Sequence, residues 1–297
     1  MELKLKRGGH ISGLRNVMPP AQKPKGMEVQ QRWCCTRHAI FFFARGFLLF
    51  KSRPWSENIS RPSQMGSSQE FGFSSDRTQN GISGVSQTIL EHIGNTPIIS
   101  LGKISKEEGL ECTLLAKCEF LSVGGSVKDR IALRMIEAAE RERKLVPGKN
   151  TIIEATSGNT GIGLALVAAV KGYRVIITLH DGRSPSKVSV LKALGAEVIT
   201  APADEPWDSP KSYFSIAKRL EREIPGAILL NQFGNSNNPM AHEFGTAKEI
   251  IQQLEISGMG PLDVLVAGAG TGGTLTGLAR GLKKRWKDVR VSQVFTV

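Results

Sequence analysis

From Gln87 onward the apolar positions fall into two alternating rhythms. Short apolar runs read as strands at Ile98–Leu101, Cys112–Lys117, Thr151–Glu154, Arg174–Leu179, Glu197–Thr200, Ile228–Leu230 and Leu262–Ala267. Longer stretches between them carry helical spacing. In Lys128–Arg143, residues Ile131, Leu133, Ile136 and Ala139 recur near that period. Asn159–Lys171 is Ala-rich and apolar all round, as in a buried helix. Pro185–Leu194 has Pro in its first turn, and Ser209–Glu223 opens on a serine suited to capping. Met240–Leu254 and Thr274–Lys284 complete the helices. Strands separated by helices predict parallel βαβ units and an α/β fold. The near-continuous apolar strands are those of a sheet covered on both faces.

Residues 1–85 show neither period. They are rich in Gly, Ser, Pro, Arg and Gln, and predict a disordered or poorly ordered basic extension, with order beginning near Gln87. The longest apolar stretch, Ala39–Phe50, is interrupted by Arg45 and falls short of the roughly 18 residues a membrane helix needs. The formal net charge is +12, from 39 Lys/Arg and 27 Asp/Glu. Residues 1–56 hold 11 of the basic side chains against only Glu2 and Glu28, so 28 basic and 25 acidic residues remain for the other 241. The body of the chain is nearly neutral, which argues against a phosphate-backbone binder. The arginine-rich, acid-poor start fits a mitochondrial targeting segment or a tail with no address function. Four cysteines (Cys34, Cys35, Cys112 and Cys118) form no C-x-x-C and no secreted disulfide framework, and Cys112 and Cys118 read as buried thiols. A reducing, cytoplasmic compartment is expected.

Three junctions combine glycines or hydroxyls with a helix start. Gly124-Gly125-Ser126-Val127-Lys128-Asp129-Arg130 puts a lysine in a first helical turn, where the helix dipole disfavours it. Thr156-Ser157-Gly158-Asn159-Thr160-Gly161 follows a strand and offers hydroxyls, an amide and free N–H groups to a carboxylate or phosphate. Gly268-Ala269-Gly270-Thr271-Gly272-Gly273-Thr274 follows the apolar strand Val264–Ala267. It lacks the lysine of a nucleotide P-loop. In open α/β sheets ligands bind at such strand ends.

At these residues the chain resembles the cystathionine β-synthase and cysteine synthase family of pyridoxal-phosphate (PLP) enzymes, with the tryptophan-synthase-β-like fold. The resemblance runs from about Ile89 to Val291. It rests on Ile93-Gly94-Asn95-Thr96-Pro97, Lys117-Cys118-Glu119-Phe120, the Lys128 run, the Thr156–Gly161 run, Asn231-Gln232-Phe233 with Asn238-Pro239, and the last glycine loop. Lys117–Phe120, Gly124–Ile131 and Trp207-Asp208-Ser209-Pro210 resemble cystathionine β-synthase, and Phe233 resembles cysteine synthase. The resemblance implies a two-domain, parallel-sheet α/β fold. Residues 86–121 with 233–297 would form a larger PLP-phosphate-binding domain, incomplete at its C-terminal end. Residues 122–232 would form a smaller domain carrying the lysine and the substrate loop. It implies that Lys128 joins PLP as a Schiff base and then serves as acid and base. Asn159 would hydrogen-bond the ring hydroxyl. Gly270, Thr271, Gly272, Gly273 and Thr274 would bind the phosphate. Thr156, Ser157, Gly158, Thr160 and Gln232 would hold the substrate carboxylate. It also implies a homodimer acting on small amino-acid and thiol substrates, without nucleic acid or membrane. The implied reaction joins serine to homocysteine. Alternatives are a cysteine synthase using O-acetylserine and sulfide, or a serine/threonine dehydratase.

The sequence departs from the family in three places. Relatives carry a Pro-Glu-x-Met-Ser type loop where this chain has His180-Asp181-Gly182-Arg183-Ser184-Pro185-Ser186-Lys187. Ser292–Val297 do not resemble the continuation found in relatives, where a later side chain, often Ser, meets the PLP ring nitrogen. A shortened, non-catalytic product is therefore the alternative of another class. Finally, Cys34, Cys35 and His38 lack the spacing of the haem ligands that some relatives carry, so neither haem nor metal is expected.

Overall fold

A computed structural model of the chain describes residues 47–51, 84–156, 158–182 and 184–294. Nine strands form two sheets among these residues. The first sheet contains β1 (Phe47–Lys51), β2 (Ile98–Ser100), β3 (Thr113–Lys117), β8 (Val264–Gly268) and β9 (Arg290–Val294), in the order β2-β3-β1-β8-β9. The second contains β4 (Thr151–Ala155), β5 (Arg174–His180), β6 (Glu197–Ala201) and β7 (Ala227–Leu229), in the order β6-β5-β4-β7. The helices are α1 (Gly102–Glu107), α2 (Lys128–Arg141), α3 (Asn159–Lys171), α4 (Pro185–Ala193), α5 (Tyr213–Glu223), α6 (Asn237–Ala241), α7 (Ala247–Ile256) and α8 (Gly273–Arg285).

The four-stranded sheet is all parallel, as the βαβ pattern predicts. Alternate side chains serve opposite faces. Ile152, Val175 and Ile177 pack under α2 and α3, against Ile131, Met135, Ile136, Leu164 and Ala168. Ile153 and Ile176 face α5 through Phe214 and Ala217. Both faces are covered, so the strands had to be apolar throughout. α3 ends at Gly172, whose positive φ of 77° closes the helix with an N–H donated to the Ala168 carbonyl.

The five-stranded sheet is mixed rather than parallel. Only β8 and β9 run together, while β1 opposes both of its neighbours and β2 opposes β3. Strand β1 corrects the expectation that order begins near Gln87. Phe47 and Leu49 point into a core shared with α7, α8, Leu115 and Leu265, while Leu48 and Phe50 join Leu114, Ala116 and Val266 on the other face. An apolar run buried on both faces has no alternation to betray it. The terminal residues Ser292–Val294 pair in register with β8 as part of β9.

Two further differences are local. Ser212, not Ser209, caps α5 by accepting the Ser215 N–H, while the Ser209 hydroxyl donates to Glu205. The stretch expected as one helix from Met240 is broken by a π turn over His242–Thr246. Of the predicted thiols, Cys118 is buried and Cys112 half-buried, both free. Cys34, Cys35, His38, Ser157, Arg183 and the candidate targeting segment lie outside the described residues. Among the described residues no helix is long and apolar enough to cross a membrane.

Candidate functional site

All three predicted junctions form at helix starts, two of them directly after strands. β4 leads through Thr156 and Gly158 into α3, β8 leads through Gly270–Gly272 into α8, and the turn at Ser122–Val127 opens α2. The last loop turns on Gly272, at φ +78°, which a side chain would disfavour. Gly270 and Gly272 face open space, so the backbone there is accessible to a ligand.

Lys128 is the first residue of α2. Its backbone N–H donates to Ser126 Oγ at 3.2 Å, which satisfies one of the free N–H groups at the helix start. Burial lowers the pKa of its ammonium. Its side chain has no hydrogen-bond or ion-pair partner among the described residues. The preceding loop is fixed by Asp129, whose Oδ2 accepts the Gly124 N–H at 2.7 Å. Gly124 has no room for a Cβ, because the Asp129 carboxylate occupies that space. α3 meets the start of α2 at Gly163, where a Cβ would lie 3.1 Å from the Lys128 carbonyl.

A hydrogen-bonded chain joins the second junction to the third. Thr160 Oγ1 donates to Gln232 Oε1 at 2.7 Å. Asn238 Nδ2 donates to the Gln232 carbonyl and to Thr271 Oγ1, each at 2.8 Å. Asn238 is buried, and a Cβ on Gly273 would overlap its side chain. The structure therefore brings together Thr160, Gln232, Thr271 and Gly273 through a residue that the pattern reading gave no role. Thr156 is buried and its hydroxyl accepts the Gly158 N–H at 3.3 Å. Asn159 opens α3 with no side-chain partner among the described residues. Thr274 lies in the first turn of α8, 3.2 Å from His242 Nε2.

Behind these loops lies a buried network of charges, also without an assigned role in the sequence. Arg130 Nε donates to Glu119 Oε2 at 2.7 Å, and its two terminal nitrogens reach Glu249 at 2.5 and 2.8 Å. Lys117 Nζ donates to Glu249 Oε2 at 2.8 Å, to the Thr96 carbonyl at 2.5 Å and to Gln253 Oε1 at 2.9 Å. Thr96 Oγ1 donates to Glu119 at 2.6 Å. Two cations and two anions balance, as a low-dielectric interior demands. Burial pushes the Glu249 carboxyl upward, but bonds from Arg130 and Lys117 prevail and hold it at about 2. Burial works against the charge on Arg130, yet Glu249 and Glu119 keep its pKa above the ordinary guanidinium value. The network anchors α2 two residues beyond Lys128, fixing the lysine's position on the helix. Charges such as Lys117 and Glu119 inside an apolar stretch were the available signal.

Glu154, on β4, is a further buried carboxyl. Burial raises its pKa to about 7, against opposing N–H bonds from Gln232 and Asn231. Its Oε1 accepts the Gln232 N–H at 3.1 Å, so it holds the backbone of a candidate site residue. Among the described residues no cluster of His, Cys, Asp and Glu is suited to a metal ion.

Residues 89–296 match the family described as pyridoxal-phosphate dependent enzyme. The chain is 59% identical over 203 residues to cystathionine beta-synthase from Mus musculus, covering 68% of this chain and 35% of that protein. It is 51% identical over 204 residues to cystathionine beta-synthase from Saccharomyces cerevisiae, covering 68% of this chain and 40% of that protein. The chain thus spans about two fifths or less of these curated relatives. A crystal structure of a hydrogen sulfide-producing enzyme from Fusobacterium nucleatum is similar, with a TM-score of 0.60 and 34% identity, over 71% of this chain and 66% of that one. The family match runs to residue 296, so β9 lies within the matched stretch, contrary to the expectation for Ser292–Val297. With more than half its length matched, this chain belongs to the pyridoxal-phosphate dependent enzyme family, whose cofactor is pyridoxal phosphate.

Proposed function

We propose that the chain carries out β-replacement on serine, joining it to homocysteine to form cystathionine. The observation that carries this reading is Lys128, a half-buried amine without a protein partner among the described residues, in a chain that also presents an open glycine loop at a helix N-terminus. Those features fit PLP, which needs an amine for its aldehyde and N–H donors for its phosphate. In this reading Lys128 holds the cofactor, Asn159 pairs with its ring hydroxyl, and Gly270, Thr271, Gly272, Gly273 and Thr274 receive the phosphate. Thr156, Ser157, Gly158, Thr160 and Gln232 receive the substrate carboxylate. When bound, PLP supplies an electron sink for charge that develops at the substrate α-carbon.

The chain's own residues supply the rest. Burial favours the neutral Lys128 amine, which can take the α-proton and then give a proton to the departing hydroxyl, releasing water. The N-terminus of α3 offers a favourable field and N–H groups to a carboxylate. Thr160 already occupies Gln232 Oε1, leaving the Gln232 amide N–H groups as donors to the same anion. The Arg130 network keeps α2 in place while the Lys128 side chain moves between tasks.

The same reading assigns residues 86–121 and 233–297 to a phosphate-binding domain and 122–232 to a domain carrying Lys128. It places the protein in the cytoplasm as a homodimer. A second reading uses sulfide and O-acetylserine to make cysteine. Phe233, which resembles cysteine synthase, favours it. Incubating the PLP-loaded full chain with each substrate pair, followed by mass spectrometry, tests both. Cystathionine from serine and homocysteine is the expected product. Cysteine alone would favour the second reading, and no product from either pair would overturn both.

A further inference from the structure

His242 begins the π turn and is fully buried. Its ring sits between two hydroxyls, with Nδ1 3.0 Å from Thr246 Oγ1 and Nε2 3.2 Å from Thr274 Oγ1. α8 comes this close because Gly277 faces the turn. A Cβ there would lie 2.7 Å from His242 Cβ and would overlap the Pro239 carbonyl. π turns of this kind commonly mark functional positions.

Three protonation forms of the ring are conceivable, and their consequences for Thr274 differ. With the hydrogen on Nδ1, Nε2 must accept the Thr274 hydroxyl proton, and Thr274 can then donate to nothing else. With the hydrogen on Nε2, the ring donates to Thr274 and frees the Thr274 hydroxyl proton to face the glycine loop. Thr246 then donates to Nδ1. A doubly protonated ring would also donate to Thr274. Burial opposes it, reinforced by the nearby Arg130 and Lys128, with Glu249 the opposing charge. A loop that receives a phosphate needs donors, so the Nε2–H form matches it.

We propose that His242, as its Nε2–H tautomer, is a positioning residue that turns the Thr274 hydroxyl proton toward the phosphate bound in the Gly270–Thr274 loop. The inference rests on the phosphate assignment of that loop given above. It extends the site to a relay running from Thr246 through His242 to Thr274. None of these hydroxyls has to titrate for the relay to work.

The test uses the full chain labelled with 15N-histidine and loaded with PLP. Two-bond 1H–15N spectra should show His242 as the Nε2–H tautomer, unchanged between about pH 6 and 8, where free histidine titrates. An Nδ1–H tautomer or a titrating ring overturns the inference. Variants supply a second readout, with near-ultraviolet circular dichroism checking that each is folded. H242Q keeps a donor near the Nε2 position, H242N keeps a group only near Nδ1, and T274V removes the hydroxyl. The 31P resonance of bound PLP and its retention on dialysis are measured for each. T274V and H242N should both shift the resonance and weaken retention roughly tenfold, with H242Q within about threefold of the parent. If T274V changes neither readout, the loop assignment itself fails. If T274V acts and H242N does not, or if H242Q does no better than H242N, the role of His242 alone is overturned.

Discussion

Glu249 links both buried cations of the network, so Glu249→Gln is the substitution that asks most of it. Its side chain is 18% exposed, against 0% for Lys117, 5% for Arg130 and 1% for Glu119. It accepts from Lys117, from both Arg130 terminal nitrogens and from the Asn95 N–H. Glutamine keeps the shape but removes the charge, leaving two buried cations facing Glu119 alone. A carboxyl held at about 2 rather than the ordinary 4.5 corresponds to about 3 kcal/mol of linked stability. Breaking a buried pair costs about 3–5 kcal/mol in general, which agrees. For a chain of this size each kcal/mol shifts Tm by about 2–4 °C, so a fall of about 6–12 °C at pH 7 is expected. The sign with pH is fixed by the depressed carboxyl. Its contribution is present above about pH 4.5 and is lost as pH falls toward 2. Glu249→Gln should therefore lose most at pH 7 and converge on the parent protein in acid. The assay is urea denaturation followed by circular dichroism, with thermal scans at one fixed rate because large chains often unfold irreversibly. The control is Glu255→Gln, whose pair with Arg285 is exposed and should be worth at most about 1 kcal/mol. If Glu249→Gln costs no more than Glu255→Gln, the network does not hold the fold as argued.

Other outcomes follow from single sites. Glu154 has a raised pKa, so its charge costs stability as pH rises from about 4.5 through 7. Glu154→Gln should raise Tm at pH 8 and change it little at pH 4, and equal shifts at both would count against the buried-carboxyl account. Leu49→Ala in β1 removes a fully buried side chain from the middle of a sheet and should cost about 2–5 kcal/mol by urea melt. A loss under about 0.5 kcal/mol would mean that β1 is not part of the core. Gly277→Ala pushes a methyl into the Pro239 carbonyl and should cost about 1–3 kcal/mol, whereas Gly245→Ala has open space and should cost less.

Much of the fold was readable because its helices and parallel strands punctuate themselves. β4 and β5 are apolar runs closed by turn residues, and α3 is apolar all round with glycine at its end. β1 was hidden for the opposite reason. Its Phe-Leu-Leu-Phe run serves two cores at once and lies inside a longer apolar stretch broken only by Arg45. The mixed order of the first sheet is likewise a property of pairing over long sequence distances, which no local pattern carries. The three loops of the site were legible as glycine and hydroxyl junctions. The residues that bind them together were not. Asn238 must span from Gln232 to Thr271, and Arg130 must meet Glu249 across 119 positions of sequence. Their signal was only that such polar groups stand in segments otherwise suited to burial. The π turn at His242 had no sequence mark beyond the neighbouring Gly245.

The central claim is that Lys128 is the residue on which the cofactor sits. Loading the full chain with PLP, reducing it with borohydride to lock the linkage, and mapping the modified peptide by mass spectrometry tests it most directly. The label is expected on Lys128, and both it and the visible absorption band should be lost in Lys128→Ala. Label on another lysine, or a band that survives Lys128→Ala, would contradict it.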